Sequence, residues 1–174
     1  MIIGNRSNFA VEFELDKEYN GVWLFGKFRY WIKGRRIGDY EMGASLRDVL
    51  FSLDTILYDI GNRTHVKLFS LEGKELFAML DNTFYEESQY VEVANEENWA
   101  RFNINLPVDI FDDYRMYIVE NFETARILIK HTSDIEFQEV KLPKGMFDEV
   151  ILKAHQELDS LYNNEVEKDS YRNF

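Results

Sequence analysis

The spacing of the apolar residues changes within the first sixty residues, and this change limits the possible folds more than any other feature. In residues 9–15 (FAVEFEL) apolar and polar side chains alternate, which is typical of a strand with one buried face. Over residues 46–60 the apolar residues recur three and four positions apart, which predicts an amphipathic helix. The chain must therefore combine strands with helices.

A β-hairpin is predicted between these two elements, because residues 23–32 alternate again. One face would carry Leu24, Phe28, Tyr30 and Ile32, and the other Trp23, Phe25, Lys27, Arg29 and Trp31. Residues 33–36 (KGRR) supply the turn, and residues 37–40 form the returning strand. For the helix that follows, Ser45 is the expected N-cap, and Gly61 is expected to close the C-terminus in the left-handed conformation.

The rest of the chain continues these two patterns. The sequence predicts a second hairpin over residues 65–80 with its turn at 72–74, strands over 99–106, 114–120 and 124–131, and a second helix. Strands and helices do not alternate regularly, as they would in a doubly wound parallel sheet. We therefore expect an α+β fold with a mainly antiparallel sheet of hairpins and helices near residues 46–60 and 146–163.

Length and composition exclude several classes of protein. No linker or repeat marks a boundary, so we expect one domain over residues 1–174 with a flexible tail from about residue 165. The absence of cysteine excludes a disulfide scaffold and a cysteine-based zinc site or nucleophile. The N-terminus does not resemble a signal peptide, and no apolar run approaches the ~20 residues that cross a bilayer. We expect a cytoplasmic protein with no membrane partner.

Most of the net charge of −12 lies in one quarter of the chain. Residues 81–123, here called the acidic segment, hold eleven carboxylates and two arginines. A field of one sign repels phosphate backbones and attracts a basic partner. We therefore expect a basic protein partner and no nucleic acid.

The sequence contains no familiar catalytic or cofactor motif. GxSxG, GxxxxGK[ST] and GxGxxG patterns are absent, and His65, His131 and His155 lack the spacing of a metal site. Neighbouring carboxylates such as Asp112 and Asp113 point to opposite faces of a strand, so adjacency alone does not build a catalytic pair. We expect no catalytic residue, metal or cofactor; a small carboxylate- and metal-dependent enzyme is the alternative.

The acidic segment has two interpretations, a solvated stretch that raises solubility or a binding surface with aromatic anchors. Phe84 and Trp99 are expected in the core, whereas Tyr85 and Tyr90 have polar tips that suit a binding surface. The candidate partner-binding residues are Tyr85, Glu86, Glu87, Tyr90, Glu92, Glu96, Glu97, Asp109, Asp112 and Asp113. An alternative interface is the basic hairpin that carries Arg29, Lys33, Arg35 and Arg36.

Several short strings in residues 1–60 are typical of one protein family. They are the opening IIGN followed by FAV, the strand WLFGKF, the return strand IGDY and the helix start SLRDVL. On these strings the chain resembles the immunity protein 42 family of bacterial polymorphic-toxin and contact-dependent growth inhibition systems. The matching positions suit turns and packed hairpin side chains: Gly4, Trp23, Gly26, Phe28, Gly38 and Asp39.

This resemblance implies a cytoplasmic protein that neutralises a cognate toxin domain in a 1:1 complex, without catalysis. A toxin that attacks RNA or DNA needs a basic cleft for phosphates, and an acidic inhibitor can occupy that cleft. We therefore expect a basic nuclease-type toxin whose active site is occluded. A further alternative is an acidic nucleic-acid mimic that inhibits a host or phage protein.

Overall fold

A computed structural model describes residues 1–85 and 99–172 of the chain, the last two without their side chains. The chain divides into two compact units. The first unit contains the described residues of Met1–Tyr58, Leu106–Asp112 and Met146–Phe174, and the second those of Asp59–Asn105 and Asp113–Gly145. Strands in both units pair antiparallel and helices accompany them, so the α+β class is confirmed. The single domain over residues 1–174 stays a prediction.

The first unit is built on an antiparallel sheet of short strands. These are β1 (Ile2–Gly4), β2 (Phe9–Leu15), β3 (Phe25–Ile32), β4 (Arg35–Ile37) and β5 (Ala44–Ser45). The order is β1-β2-β3-β4, and β5 pairs with the start of β3. Trp23, predicted to start the alternating strand, instead ends a short 3-10 helix (Gly21–Trp23) ahead of β3.

Burial along β3 follows the predicted alternation. Phe28, Tyr30 and Ile32 are buried, whereas Lys27, Arg29 and Trp31 on the opposite face are partly exposed. Gly26 also belongs to the buried face, and a Cβ atom there would lie 2.2 Å from the Glu14 carbonyl oxygen on β2. A side chain at this position would therefore force β2 and β3 apart.

The hairpin turn is tighter than predicted. Lys33 and Gly34 form a two-residue turn, with φ of 49° and 79°, and Ile32 pairs directly with Arg35. Two positive φ values give the turn a twist that matches the strands, which favours this geometry over a longer KGRR loop. The returning strand is consequently β4, Arg35–Ile37, and the prediction of residues 37–40 is wrong.

The first predicted helix is confirmed as α1 (Leu46–Tyr58). The Ser45 hydroxyl accepts a hydrogen bond from the Asp48 amide at 3.2 Å, which is the expected N-cap. Gly61 has a φ of 81°, as its predicted left-handed conformation requires. The buried residues of α1 form the predicted stripe: Leu46, Val49, Leu50, Leu53 and Ile56.

The second predicted helix is longer than expected. It becomes α4 (Met146–Arg172) of the first unit and continues well beyond residue 163. Its Phe147 ring packs on Phe9 of β2 at 4.8 Å, and Phe9 in turn contacts Tyr30 at 5.5 Å. Within the two described ranges, no helix is long and apolar enough to cross a membrane.

The hairpin predicted over residues 65–80 is wrong. The second unit instead has two helices there, α2 (Val66–Phe69) and α3 (Gly73–Tyr85). Leu76, Phe77 and Leu80 are buried at helical spacing, and they form one hydrophobic cluster with Tyr117 and other core residues. The Glu72 carboxylate accepts from the Lys74 amide at 2.9 Å, so residues 72–74 begin a helix rather than a hairpin turn.

A three-stranded antiparallel sheet completes the second unit. It consists of β6 (Tyr114–Glu120), β7 (Thr124–His131) and β8 (Gln138–Pro143), in that order. The first two strands are confirmed predictions, and β8 was not predicted. The predicted strand over residues 99–106 is wrong, because Trp99–Phe102 form a 3-10 helix and only Asn103 bridges to β6.

Candidate functional site

Four of the ten candidate partner-binding residues belong to the described part of the chain. Tyr85 and Asp113 lie in the second unit, Asp109 and Asp112 lie in the first, and all four are exposed. The other six lie outside the described residues: Glu86, Glu87, Tyr90, Glu92, Glu96 and Glu97.

Tyr85 is an exposed aromatic side chain at the end of α3. The residue is 46% exposed, and the Arg115 guanidinium of β6 lies 3.7 Å from the centre of its ring. Phe84 beside it turns inward and stacks on Tyr117 at 5.8 Å. The structure thus confirms the predicted division for this pair, with Phe84 packed on the core and Tyr85 at the surface.

Arg115, which contacts the Tyr85 ring, also belongs to a group of polar side chains that joins α3 to β6. The Tyr117 hydroxyl donates to Asp81 Oδ1 at 2.7 Å, and Arg115 Nε lies 4.0 Å from the same oxygen. Burial raises the pKa of Tyr117 far above its ordinary value, and the bond to the Asp81 carboxylate raises it further. The hydroxyl therefore keeps its proton at physiological pH and links the end of α3 to β6.

Asp109 and Asp112 are brought together by one turn of 3-10 helix, Asp109–Phe111. The Asp112 amide donates to the Asp109 carbonyl at 3.1 Å. Ile110 and Phe111 between them are buried, and the Phe111 ring stacks on Tyr30 at 4.9 Å. This apolar anchor leaves the two carboxylates in solvent and fixes the backbone that carries them.

Asp113 lies in the second unit, in the turn immediately before β6. Its carbonyl oxygen accepts from the Thr132 amide at 2.7 Å, and its carboxylate accepts from the Thr132 hydroxyl at 3.3 Å. The side chain is exposed despite these bonds. It can therefore contribute to a negative field without being free to move widely.

The basic hairpin is the alternative interface, and arginine side chains on it already contact other residues of the first unit. The guanidinium groups of Arg6, Arg29 and Arg36 lie 4.5, 4.9 and 5.6 Å from the ring centre of Trp31. Glu12 accepts from Arg6, Arg29 and Trp31 at 2.6–3.0 Å. Arg29 thus contributes to the outer face of the sheet, whereas Lys33 and Arg35 at the tip are exposed.

The three histidines have local structural contacts. His65 Nδ1 accepts from the Leu68 amide at 3.1 Å, which caps α2. His131 is hydrogen-bonded to Ser133, and His155 to Asp54, each at 2.7 Å. Across residues 1–85 and 99–172, no three His, Asp or Glu side chains are grouped so as to hold a metal ion.

Sequence reasoning missed one exposed apolar group in the first unit. Trp23, Phe25 and Met42 are 43%, 40% and 59% exposed. The sequence indicated part of this group, because the alternation over residues 23–32 places Trp23 and Phe25 on the face opposite Phe28 and Tyr30. Met42 could not be assigned to the same group, since only the fold brings its loop beside β3.

The chain is similar to one protein family and to a solved structure. The family model described as immunity protein 42 matches residues 1–157. A crystal structure of CdiI from Burkholderia dolosa aligns with a TM-score of 0.71 and 19% identity, covering 90% of this chain and 99% of that chain. At this identity the likeness concerns the fold alone. No curated protein sequence matches the chain.

Proposed function

The chain belongs to the immunity protein 42 family, and from this we propose that it binds a cognate bacterial toxin domain and neutralises it. The match over residues 1–157 is the observation that carries the proposal. The protein acts in the cytoplasm as a stoichiometric inhibitor, one copy for each toxin domain. It contacts neither nucleic acid nor a membrane, and it does not turn over a substrate.

Charge favours a basic toxin of the nuclease type. The net charge is −12, and the described part of the acidic segment exposes Asp109, Asp112 and Asp113. A nuclease needs a basic cleft to hold phosphates, and carboxylates can take the place of those phosphates. The protein therefore covers the toxin's active site with the acidic segment, through the ten residues assigned to it from the sequence.

Tyr85 has the properties of an anchor within that interface. The Arg115 guanidinium holds its ring from one side, and the Asp81–Tyr117 hydrogen bond holds the helix end that carries it. A side chain that is already ordered loses little entropy when a partner covers it. Exposed tyrosines held in this way are typical of residues that dominate binding energy.

Growth protection tests the proposed function. The toxin domain encoded directly upstream of this gene would be expressed in bacteria from an inducible promoter, with and without this chain. We expect induction of the toxin domain to arrest growth when this chain is absent. When the chain is present, the bacteria should continue to grow. A Leu53→Asp variant, which places a charge in the core of α1, should not protect. Equal arrest with and without the wild-type chain would contradict the proposal.

A further inference from the structure

An exposed apolar surface in the first unit is ordered before any partner binds. The rings of Trp23 and Phe25 lie nearly parallel, at an interplanar angle of 7° and a centroid distance of 6.3 Å. Met42 and Phe25 line the same cleft. We call Trp23, Phe25 and Met42 the apolar platform. Large apolar side chains grouped at the surface are typical of interaction sites.

Polar contacts hold Trp23 and Met42 of the platform in place. The Arg47 guanidinium lies 3.7 Å from the ring centre of Trp23 and bonds Asp48 Oδ1 through Nε and Nη2 at 3.0 and 2.8 Å. The Ser45 hydroxyl donates to the Trp23 carbonyl at 3.0 Å. On the other side, Asp39 Oδ1 accepts from the Met42 amide at 3.2 Å. The surface is therefore preorganised, which lowers the entropy lost on binding.

Two clefts adjoin the platform and share Gly43, Ala44 and Ser45 as a common wall. The Asp16 cleft, with a volume of about 280 Å³, is lined by Phe25 and Met42 as well as Asp16. The Asp109 cleft, about 190 Å³, is lined by Asp48, Pro107, Val108 and Asp109. Every charged residue that the structure places along either cleft is an aspartate.

We propose that the apolar platform and its two clefts form a docking site for a basic segment of the toxin. An apolar side chain of that segment covers Trp23 and Phe25, and a Lys or Arg side chain enters each cleft toward an aspartate. The carboxylates decide the occupant, because an acidic or phosphate-bearing segment would be repelled. This inference rests on the proposed function and extends the interface beyond the acidic segment, with Asp109 common to both.

The test is calorimetric titration of the chain with the toxin domain encoded directly upstream. Trp23→Ala should raise Kd about tenfold or more, as loss of an aromatic anchor does, and Trp23→Phe should restore most of the affinity. The double variant Asp16→Asn/Asp109→Asn should raise Kd about fivefold or more and reduce its dependence on salt. Tyr58→Ala, an exposed aromatic on α1, and Glu157→Gln/Glu167→Gln on α4 are the matched controls and should bind like wild type.

The outcomes separate this inference from the proposed function. If wild type binds the toxin domain, and Trp23→Ala and the double aspartate variant both bind it as tightly as wild type, the docking site is wrong and the proposed function stands. If the wild-type chain does not bind the toxin domain, both are wrong. Thermal unfolding of each variant shows whether it is folded. Should Trp23→Ala fail to fold, Asp16→Asn alone decides, because Asp16 is exposed and lies outside the acidic segment; wild-type affinity of that variant would contradict the docking site.

Discussion

At the residue scale, one carboxylate organises the outer face of the first unit's sheet. Glu12 on β2 accepts from Arg6 at 3.0 Å, from Arg29 at 2.7 Å and from the Trp31 indole at 2.6 Å. Burial acts to raise the pKa of Glu12, but the bonds from Arg29 and Trp31 and the charges of Arg29 and Arg6 outweigh it. The pKa of this carboxyl is therefore lower than its ordinary value of 4.5.

A lowered pKa in the folded state predicts how Glu12 contributes to stability with pH. The contribution is fully present above the pKa of the unfolded chain, near 4.5, and is lost as the pH falls through the folded pKa. Glu12→Gln should reduce the free energy of unfolding by about 1–2 kcal/mol at neutral pH. Urea denaturation at neutral pH and near pH 3.5 measures the difference. A difference that did not shrink in acid would contradict this account.

Tyr85 gives a second prediction at the residue scale. Tyr85→Ala should raise the dissociation rate of the toxin complex by an amount worth more than about 1 kcal/mol, because it removes the ring that Arg115 holds. Tyr85→Phe keeps the ring and should bind nearly as well as wild type. Surface plasmon resonance measures both rates. Equal dissociation of Tyr85→Ala and wild type would show that Tyr85 lies outside the interface.

At the scale of elements, α1 is the helix whose core face the sequence predicts most directly. Leu53 is fully buried at the centre of its apolar stripe. Leu53→Ala should lower the free energy of unfolding by about 2–5 kcal/mol, because it removes core contacts and leaves a cavity. Glu157→Gln on the exposed side of α4 should change it by less than about 0.5 kcal/mol. Chemical denaturation that ranked the two in the opposite order would contradict the assignment of the core.

Elements could be predicted where one periodicity covered the whole segment. The alternation of β2 and β3 and the helical stripes of α1 and α4 reflect one buried face each, so the pattern and the structure agree. The hairpin predicted over residues 65–80 was wrong because the short apolar runs there fit both the strand and the helix period, and a glycine suggested a turn. Tertiary packing of Leu76, Phe77 and Leu80 in the core of the second unit favoured helix.

At the scale of the whole molecule, the proposed interface depends on the charge distribution. The net charge is −12, and the acidic segment carries most of the excess. The sequence identifies this field, but it does not identify surfaces assembled from distant residues. Met42 and Trp23 are far apart in the chain, and only the fold brings both beside Phe25. Six of the ten candidate residues lie outside the described part of the chain, and their role stays a prediction.

Rim charges act mainly on the rate of association, and this predicts the effect of reversing them. Changing Glu86, Glu87, Glu96 and Glu97 to Lys should slow association strongly at low salt and leave the thermal midpoint nearly unchanged. The wild-type rate should fall as salt increases, because screening acts over ~8 Å at physiological ionic strength. Stopped-flow measurements over a salt series test this. If the variant with all four substitutions associated at the wild-type rate in low salt, the acidic segment would serve solubility and the interface would lie elsewhere.

The central claim is that this protein neutralises its toxin by stoichiometric binding. The most direct measurement is a titration in which increasing amounts of the chain are added to a fixed amount of the purified upstream toxin domain, while the hydrolysis of RNA or DNA is followed. The account predicts that activity falls linearly and ends at one equivalent. Full activity in the presence of excess chain would contradict it, and so would complete loss of activity at a small fraction of one equivalent, which would indicate turnover.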